Sequence, residues 1–330
     1  IETSCDDTSI AIFKNEKLIT MVTKSQIKDH QITWWVVPEV AARLHANIIF
    51  EVLDEVLLTS KLSIKDINYI WVTTNPWLIP SLLTWISVAN TIKKVLNIPI
   101  IEINHIQAHI FSNYLERKET QINYPLVCLT VSWWHNDIYY MKDMWDMEKI
   151  WTSQDDAAWE SFDKVAKMMD LWYPWWPIIS KLAEEYIKLN IKNKDEIFPR
   201  VWLKKNEFDF SFSWLKSAVK REVEKRKQNN YNLKITKKPD LTIQDKKEIS
   251  YEFQEAVNEV LAYKLINAWI NKWVKTIMLA WWVSANNNLK EKILKLTTKK
   301  ELKFIYPTKN IYCMDNAAMV WILTYYKVMY

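Results

Sequence analysis

The sequence contains no glycine in 330 residues, whereas average usage of about 7% would give roughly two dozen. Glycine is the residue that adopts positive φ and allows close backbone approach most readily, so its absence excludes ordinary tight turns at many positions. The sequence instead contains 20 tryptophans. Several lie where glycine is expected, as doublets in predicted turns: Trp34-Trp35, Trp133-Trp134, Trp175-Trp176 and Trp281-Trp282.

We hypothesise that a codon meaning glycine has been written as tryptophan. UGA is the obvious candidate, because some bacterial codes translate it as glycine and others as tryptophan. The doublet Trp175-Trp176 lies between Pro174 and Pro177, in a turn that a pair of indoles does not suit. Residues are named below as they are printed.

Other scarce features narrow the class of protein. Three cysteines without a CxxC pair argue against a disulfide framework and favour a reducing, cytoplasmic setting. No apolar run is long enough to span a bilayer and no secretion signal is recognised, so we expect no membrane association. A net charge of +5 permits contact with nucleic acid without demonstrating it. The sequence opens without methionine, and we expect the first strand to begin before Ile1.

The length and the order of elements predict two α/β lobes. At 330 residues the chain exceeds the usual size of one core. A strand, a polar turn and a returning strand open the chain, and the same pattern returns near residues 126–141. This repetition indicates a duplicated α/β architecture with a cleft between the lobes. Residues 155–271 are predicted to be mainly helical.

Two histidines four residues apart, His105 and His109, form the strongest candidate site. On a helix they share one face, where their rings can converge on a metal ion. A zinc-protease helix has a glutamate directly after the first histidine, but this chain has Ile106 there. Asp315 is the candidate third ligand, and such a set suits iron(II) or zinc. Spacing alone is equally compatible with histidines that cap or pack a helix end.

Two lysine-rich segments are candidates for contact with RNA. They cover residues 216–227 and 290–303. Glutamates are interleaved with the lysines, so a solvated helix and loop is the competing interpretation. The turn before Asn286 follows a predicted strand and precedes a helix, so it suits either an anion at the helix N-terminus or simple packing.

Ten collinear motifs carry a resemblance to a known family. With glycine in place of tryptophan, the chain resembles the bacterial tRNA N6-adenosine threonylcarbamoyltransferases, once labelled glycoproteases. The motifs read IETSCDDTS, WVVPEVAAR, NHIQAH, TVSWWH, DDAAWESFDK, YPWWP, FPR, FSFSWLK, AWWVSANNNL and CMDN. They run from residue 1 to the last of them, at residues 313–316, in the order that the family has.

The resemblance implies an actin/Hsp70/sugar-kinase-like fold of two duplicated ribonuclease-H-like α/β lobes. The N-terminal lobe would cover residues 1–110 and about 305–330. The C-terminal lobe would cover residues 111–304, with a mainly helical insertion at about 155–271. The resemblance also implies transfer of the threonylcarbamoyl group from threonylcarbamoyl-AMP to N6 of adenosine 37, in tRNAs that read codons beginning with A.

The resemblance also implies a set of functional residues and partners. The metal ligands would be His105, His109 and Asp315, with iron(II) favoured and zinc as the alternative. The positions that bind threonylcarbamoyl-AMP would be Thr130, Val131, Ser132, Trp133, Trp134, Asp163, Trp176 and Asn286. The expected partners are tRNA, a paralogue of the same fold and a small P-loop ATPase. No general base is assigned.

Three other functions compete with this interpretation. A metal-dependent peptidase needs a water-activating base beside the metal, and Ile106 stands where the base is expected. An ATPase or sugar kinase of the same fold uses carboxylates and magnesium, without a pair of histidines. A non-catalytic scaffold would not need a complete ligand set.

Overall fold

The structure is a computed structural model that describes residues 1–15, 17–33, 36–131, 135–171, 175–190, 196–200, 209–298 and 302–329. The chain divides into two compact units. The first contains Ile1–Ile122, Leu279–Ala285 and Ile305–Tyr330, and the second contains Asn123–Met278 and Asn286–Phe304. The lobe boundaries given above stay predictions.

The first unit is built from two small sheets and five helices among its described residues. Its elements are β1 (Asp7–Lys14), β2 (Lys17–Ser25), α1 (Ile27–Thr33), α2 (Pro38–Ser60), β3 (Ile70–Asn75), α3 (Ile79–Leu96), β4 (Ile100–Asn104), α4 (His105–Phe111) and α10 (Ala317–Met329). Strands β1 and β2 pair antiparallel, and β3 and β4 pair parallel. The β3–α3–β4 crossover follows the α/β pattern that the sequence predicts.

Alternating residues of β1 form one wall of the first unit's core. Ile10 and Ile12 are buried and pack with Val52 and Val56 of α2 and with Trp85 of α3. Each aliphatic side chain of this kind contributes about 1.5–3 kcal/mol when it is fully buried. The core therefore fixes β1, and with it the polar segment just before β1.

The second unit is a sheet with helices that come mainly from the predicted helical region. Its elements, of which β8 and β9 belong to it only in part, are β5 (Leu126–Val131), β6 (Asn136–Met141), β7 (Met147–Trp151), α5 (Ala158–Met168), α6 (Trp175–Lys188), α7 (Ser213–Asn232), α8 (Ile243–Lys272), β8 (Thr276–Ala280), α9 (Asn287–Thr297) and β9 (Lys303–Ile305). The sheet order is β7-β6-β5-β8-β9, in which β5, β6 and β7 pair antiparallel. Sequence reasoning missed the short strand β7.

Strand β4 runs directly into α4, and this junction positions the histidine pair. The Asn104 side chain accepts a hydrogen bond from the backbone N–H of Gln107 at 3.0 Å, and so caps α4. His105 is the first residue of α4, at the carboxyl end of a parallel strand, where α/β sheets commonly bind ligands. Among the described residues, no helix has both the length and the apolar character needed to cross a bilayer.

Candidate metal centre

His105, His109 and Asp315 lie together inside the first unit. The two Nε2 atoms are 3.1 Å apart, and Asp315 Oδ1 lies 2.9 Å from Nε2 of His109 and 3.6 Å from Nε2 of His105. Both histidines are fully buried, and Asp315 is 5% exposed. The candidate ligand set named from the sequence is therefore brought together from segments about 200 residues apart.

The geometry and chemistry of the three groups fit one divalent ion. Metal–ligand bonds of about 2.0–2.2 Å with angles of roughly 90–120° separate neighbouring ligand atoms by about 2.8–3.8 Å. The measured separations of 2.9, 3.1 and 3.6 Å agree with that range. Two imidazoles and one carboxylate are a donor set used for both zinc and non-haem iron(II). The site can therefore hold a metal, and the ligand set alone does not select between these two.

Glu2 and Ser4 orient His105 through contacts with its Nδ1 atom. Nδ1 of His105 lies 3.1 Å from Oε2 of Glu2 and 2.9 Å from Oγ of Ser4. A carboxylate at Nδ1 keeps the proton on that nitrogen, so Nε2 presents its lone pair to the other ligands. Sequence reasoning assigned no role to Glu2 or Ser4, although both lie in the first of the ten motifs.

The Glu2 carboxylate is itself held by two further hydrogen bonds. Oε1 accepts from the Ser4 backbone N–H at 2.6 Å, and Oε2 accepts from the Thr73 hydroxyl at 2.6 Å. Burial opposes ionisation of Glu2, but attraction to His105 when its imidazole is protonated, together with the hydrogen bonds from His105, Ser4 and Thr73, prevails and lowers the pKa of Glu2 to about 2. Glu2 therefore stays ionised as a fixed acceptor for the imidazole.

For Asp315 and His109, burial outweighs the other influences and favours the neutral form of each group. Burial, reinforced by the charge of Glu2, raises the pKa of Asp315 to about 6, although His105 opposes the shift. Burial and the neighbouring His105 hold the pKa of His109 well below its usual value. His109 is therefore neutral at pH 7 and free to act as a ligand. A cation between these groups would offset the cost of keeping Asp315 ionised.

The loop that carries Asp315 is fixed by the residue after it. The Asn316 side-chain amide donates to the carbonyls of Met314 at 2.6 Å and Ile311 at 3.1 Å. Its Oδ1 accepts from the backbone N–H of Met319, in the first turn of α10. The Asp315 carboxylate is thus carried by a rigid corner between a short 3₁₀ turn and the terminal helix.

Trp281, the residue after β8, covers the two imidazoles. Its ring centroid lies 4.2 Å from that of His109, nearly parallel at 16°, and 4.8 Å from that of His105 at 68°. Its side chain is 6% exposed and its φ is 73°, in the left-handed region. The sequence places Trp281 in a doublet, but nothing in its spacing indicated contact with the histidines.

Those of the predicted threonylcarbamoyl-AMP positions that the structure describes lie in the second unit. Thr130 and Val131 end β5, which is the neighbour of β8 in the sheet, and both are buried. Asp163 is half-buried on α5. Ser132, Trp133 and Trp134 lie outside the described residues, as does the side chain of Trp176.

Asn286 has a defined structural role in the same unit. It is the N-cap of α9, and its Oδ1 accepts from the backbone N–H of Leu289 at 3.1 Å. Its side-chain amide also faces that of Asn258, with both N···O distances at 3.4 Å. Sequence reasoning missed Asn258, which is buried on α8. The assignment of Asn286 to ligand binding stays a prediction.

Comparison with solved structures shows the class of fold. The chain matches (R)-2-hydroxyglutaryl-CoA dehydratase component A from Acidaminococcus fermentans with a TM-score of 0.52, covering 98% of this chain and 96% of that one. At 11% identity the likeness concerns the fold alone, and it confirms the predicted actin/Hsp70/sugar-kinase-like α/β class.

Comparison of sequences shows the family. Residues 17–321 match the family model described as tRNA N6-adenosine threonylcarbamoyltransferase. A curated protein of that name from Staphylococcus epidermidis is 38% identical over 328 residues, which cover 99% of this chain and 90% of the relative. One from Persephonella marina is 38% identical over 325 residues, covering 97% and 87%. The chain belongs to the tRNA N6-adenosine threonylcarbamoyltransferase family.

Proposed function

We propose that the chain transfers a threonylcarbamoyl group from threonylcarbamoyl-AMP to N6 of adenosine 37, in tRNAs that read codons beginning with A. The observation that carries the proposal is the buried ligand set of His105, His109 and Asp315, in a chain whose relatives are named for this reaction. The substrate is a mixed anhydride with AMP as a good leaving group. The protein therefore has to position the anhydride and polarise it, more than it has to activate a nucleophile.

We propose that one divalent ion, iron(II) in preference to zinc, binds at these three residues. When bound, it would supply a Lewis acid for a carbonyl or phosphate oxygen of the anhydride. The chain's own contribution begins with Glu2 and Ser4, which hold His105 in the tautomer that presents Nε2.

The threonylcarbamoyl-AMP positions are proposed from the family motifs. They are Thr130, Val131, Ser132, Trp133, Trp134, Asp163, Trp176 and Asn286. The Asp163 carboxylate suits ribose hydroxyls, from which it can accept hydrogen bonds, and does not suit a phosphate, which it would repel. Asn286 marks the N-terminus of α9, where backbone N–H groups favour an anion.

The proposed partners are those of the family. They are tRNA as substrate, a paralogue of the same fold and a small P-loop ATPase, in the cytoplasm. For tRNA, the α7 segment offers exposed charge at Lys220 and Arg221. Arg226 of the same helix instead bonds Glu222 and Glu248 at 2.8 and 2.6 Å, so it is engaged within the protein.

The competing functions have less support. A peptidase would need a base beside the metal, and Ile106 occupies the position that a zinc-protease helix gives to glutamate. An ATPase or sugar kinase would not need two imidazoles and a carboxylate around one ion. Neither activity appears in the names of the two curated relatives described above.

The test is reconstitution with threonylcarbamoyl-AMP and an unmodified tRNA, followed by nucleoside analysis. It uses protein isolated from the native host, and a recombinant chain with glycine at all 20 tryptophan positions, called here the glycine form. In the glycine form, His105→Ala or His109→Ala should lower metal content and transfer together. Gln107→Ala, on the same helix, is the matched control and should change neither. Full metal content and full transfer in either histidine variant would show that the ligand assignment is wrong.

A further inference from the structure

The indole of Trp281 lies against both histidines of the candidate metal site. It stacks on His109 at 4.2 Å and meets His105 edge-on at 4.8 Å. Glu2 and Ser4 already occupy the Nδ1 edge of His105. The Trp281 side chain therefore covers the side of the candidate metal site on which the two imidazole faces lie.

An ion with three protein ligands acts on a substrate only through coordination positions that remain open. With the indole in place, the three ligands are between 0 and 5% exposed. An indole occupies several times the ~30 Å³ that one water molecule takes in the liquid. Rings whose centroids are 4.2 Å apart are in direct contact, so no substrate oxygen fits between the indole and the face of the His109 imidazole.

The backbone at the same position independently points to a residue without a side chain. The φ of Trp281 is 73°, a conformation that glycine adopts freely and that costs other residues on the order of 1–3 kcal/mol. Its carbonyl accepts from the Ser284 backbone N–H at 2.9 Å, which closes a tight turn after β8. The turn can keep its conformation when the indole is removed.

We propose that residue 281 controls access to the metal, and that an anionic substrate oxygen reaches the ion only when position 281 carries no bulky side chain. The anion class, an acyl phosphate, rests on the proposed function. The access itself rests on the contacts of Trp281 alone. Tryptophan at 281 closes the site, and glycine opens it.

The test compares four proteins loaded with Co²⁺, whose visible absorption reports ligands that enter its coordination sphere. They are the glycine form, the glycine form that retains Trp281, the glycine form that retains Trp273, and a Trp281→Ala version of the second. Trp273 is the matched control, because its φ is also positive, at 53°, while its side chain is 91% exposed. The alanine version keeps a Cβ at the strained position and removes the indole.

Azide is the probe, added after Co²⁺ binding and thermal unfolding have been compared among the four proteins. We expect azide to change the Co²⁺ spectrum of every protein except the one that retains Trp281. An equal azide response in that protein would overturn the proposal. So would a missing response in the alanine version, because strain and not the indole would then be responsible.

Threonylcarbamoyl transfer is measured in parallel, so that failure of the access proposal can be distinguished from failure of the proposed function. Azide access without transfer in the glycine form, assayed together with the proposed paralogue and ATPase, would refute the proposed function and leave the access proposal standing. Transfer by the protein that retains Trp281, at the rate of the glycine form, would refute the access proposal and leave the function standing.

Discussion

Replacement of Glu2 by glutamine should weaken metal binding although Glu2 does not reach the ion. Glutamine has one oxygen where the carboxylate has two. If that oxygen takes the place of Oε2, the hydrogen bonds with His105 and Thr73 are kept. The amide N–H₂ then faces the Ser4 backbone N–H. A buried N–H then loses its acceptor, at a cost to folding of about 1–3 kcal/mol.

In the other orientation, the glutamine side chain weakens metal binding directly. The side-chain oxygen then keeps the Ser4 N–H, and the amide N–H₂ faces Nδ1 of His105. That nitrogen has to become an acceptor, so the imidazole proton moves to Nε2 and removes the lone pair from the metal. Loss of such an outer partner typically costs 10–100-fold in metal affinity, which is about 1.4–2.7 kcal/mol.

The assay is competition for Zn²⁺ between the metal-free protein and a chromophoric chelator, with thermal unfolding of the metal-free protein measured beside it. Glu102→Gln is the control, because it makes the same change at an exposed position of β4. We expect affinity to fall in Glu2→Gln and to stay constant in Glu102→Gln. Equal Zn²⁺ affinity in both variants would refute the role given to Glu2.

The metal centre, the proposed binding residues and the tryptophans support four more predictions. Metal content after dialysis should fall between pH 7 and pH 5, because Asp315, with its pKa raised to about 6, takes up a proton and stops being a ligand; constant content would contradict this. Asp163→Ala should weaken binding of threonylcarbamoyl-AMP more than binding of tRNA, and equal losses in two binding titrations would count against a ribose contact. Charge reversal at Lys220 and Arg221 should lower tRNA affinity and reduce the salt dependence by about 0.7–0.9 for each phosphate that is no longer neutralised. If neither changes, the exposed face of α7 is only solvated. In mass spectrometry of protein from the native host, the peptide of residues 171–181 should be lighter than printed by three tryptophan-to-glycine differences; tryptophan at all three positions would refute the recoding hypothesis.

Elements with an unambiguous local pattern could be predicted closely. The sequence predicts strands at residues 126–131 and 276–280, and β5 and β8 match both ranges, because each is a short run of buried residues bounded by polar turns. The apolar periodicity predicts a helix over residues 251–268, whereas α8 starts at Ile243. Thr242 and Asp245 form a capping box there, a signal that the sequence contains and that the prediction overlooked.

The buried face of α2 shows what a pattern cannot supply. Apolar residues at spacings of four, from Val40 to Val56, predict one buried stripe, but the buried positions in the first half of the helix are shifted by one residue: Ala41, His45 and Ile49. His45 is drawn inward by Thr8 Oγ1 at 2.7 Å and by the Cys5 carbonyl at 3.0 Å. Both partners lie more than 35 residues away, so periodicity within the helix could not reveal them.

The candidate metal centre also has one part that the sequence could predict and another that it could not. The spacing of His105 and His109 follows from the helix repeat, so the sequence could show that the two rings share a face. Glu2, Ser4 and Trp281 enter from the start of the chain and from the end of β8, and no repeat connects them with α4. They became visible only when tertiary contacts were known.

The tryptophans now raise separate physical objections at three described positions. Trp85 is fully buried in α3 and its indole N–H has no hydrogen-bond partner among the described residues, at a cost of about 1–3 kcal/mol. Trp273 and Trp281 hold positive φ, at on the order of 1–3 kcal/mol each. Together these costs are roughly 3–9 kcal/mol, against a total stability of about 5–15 kcal/mol for a typical domain. Glycine removes the backbone costs at positions 273 and 281, and at position 281 it also uncovers the ligands that the proposed chemistry needs. Stability and access to the metal therefore favour the same residue, although they rest on different observations.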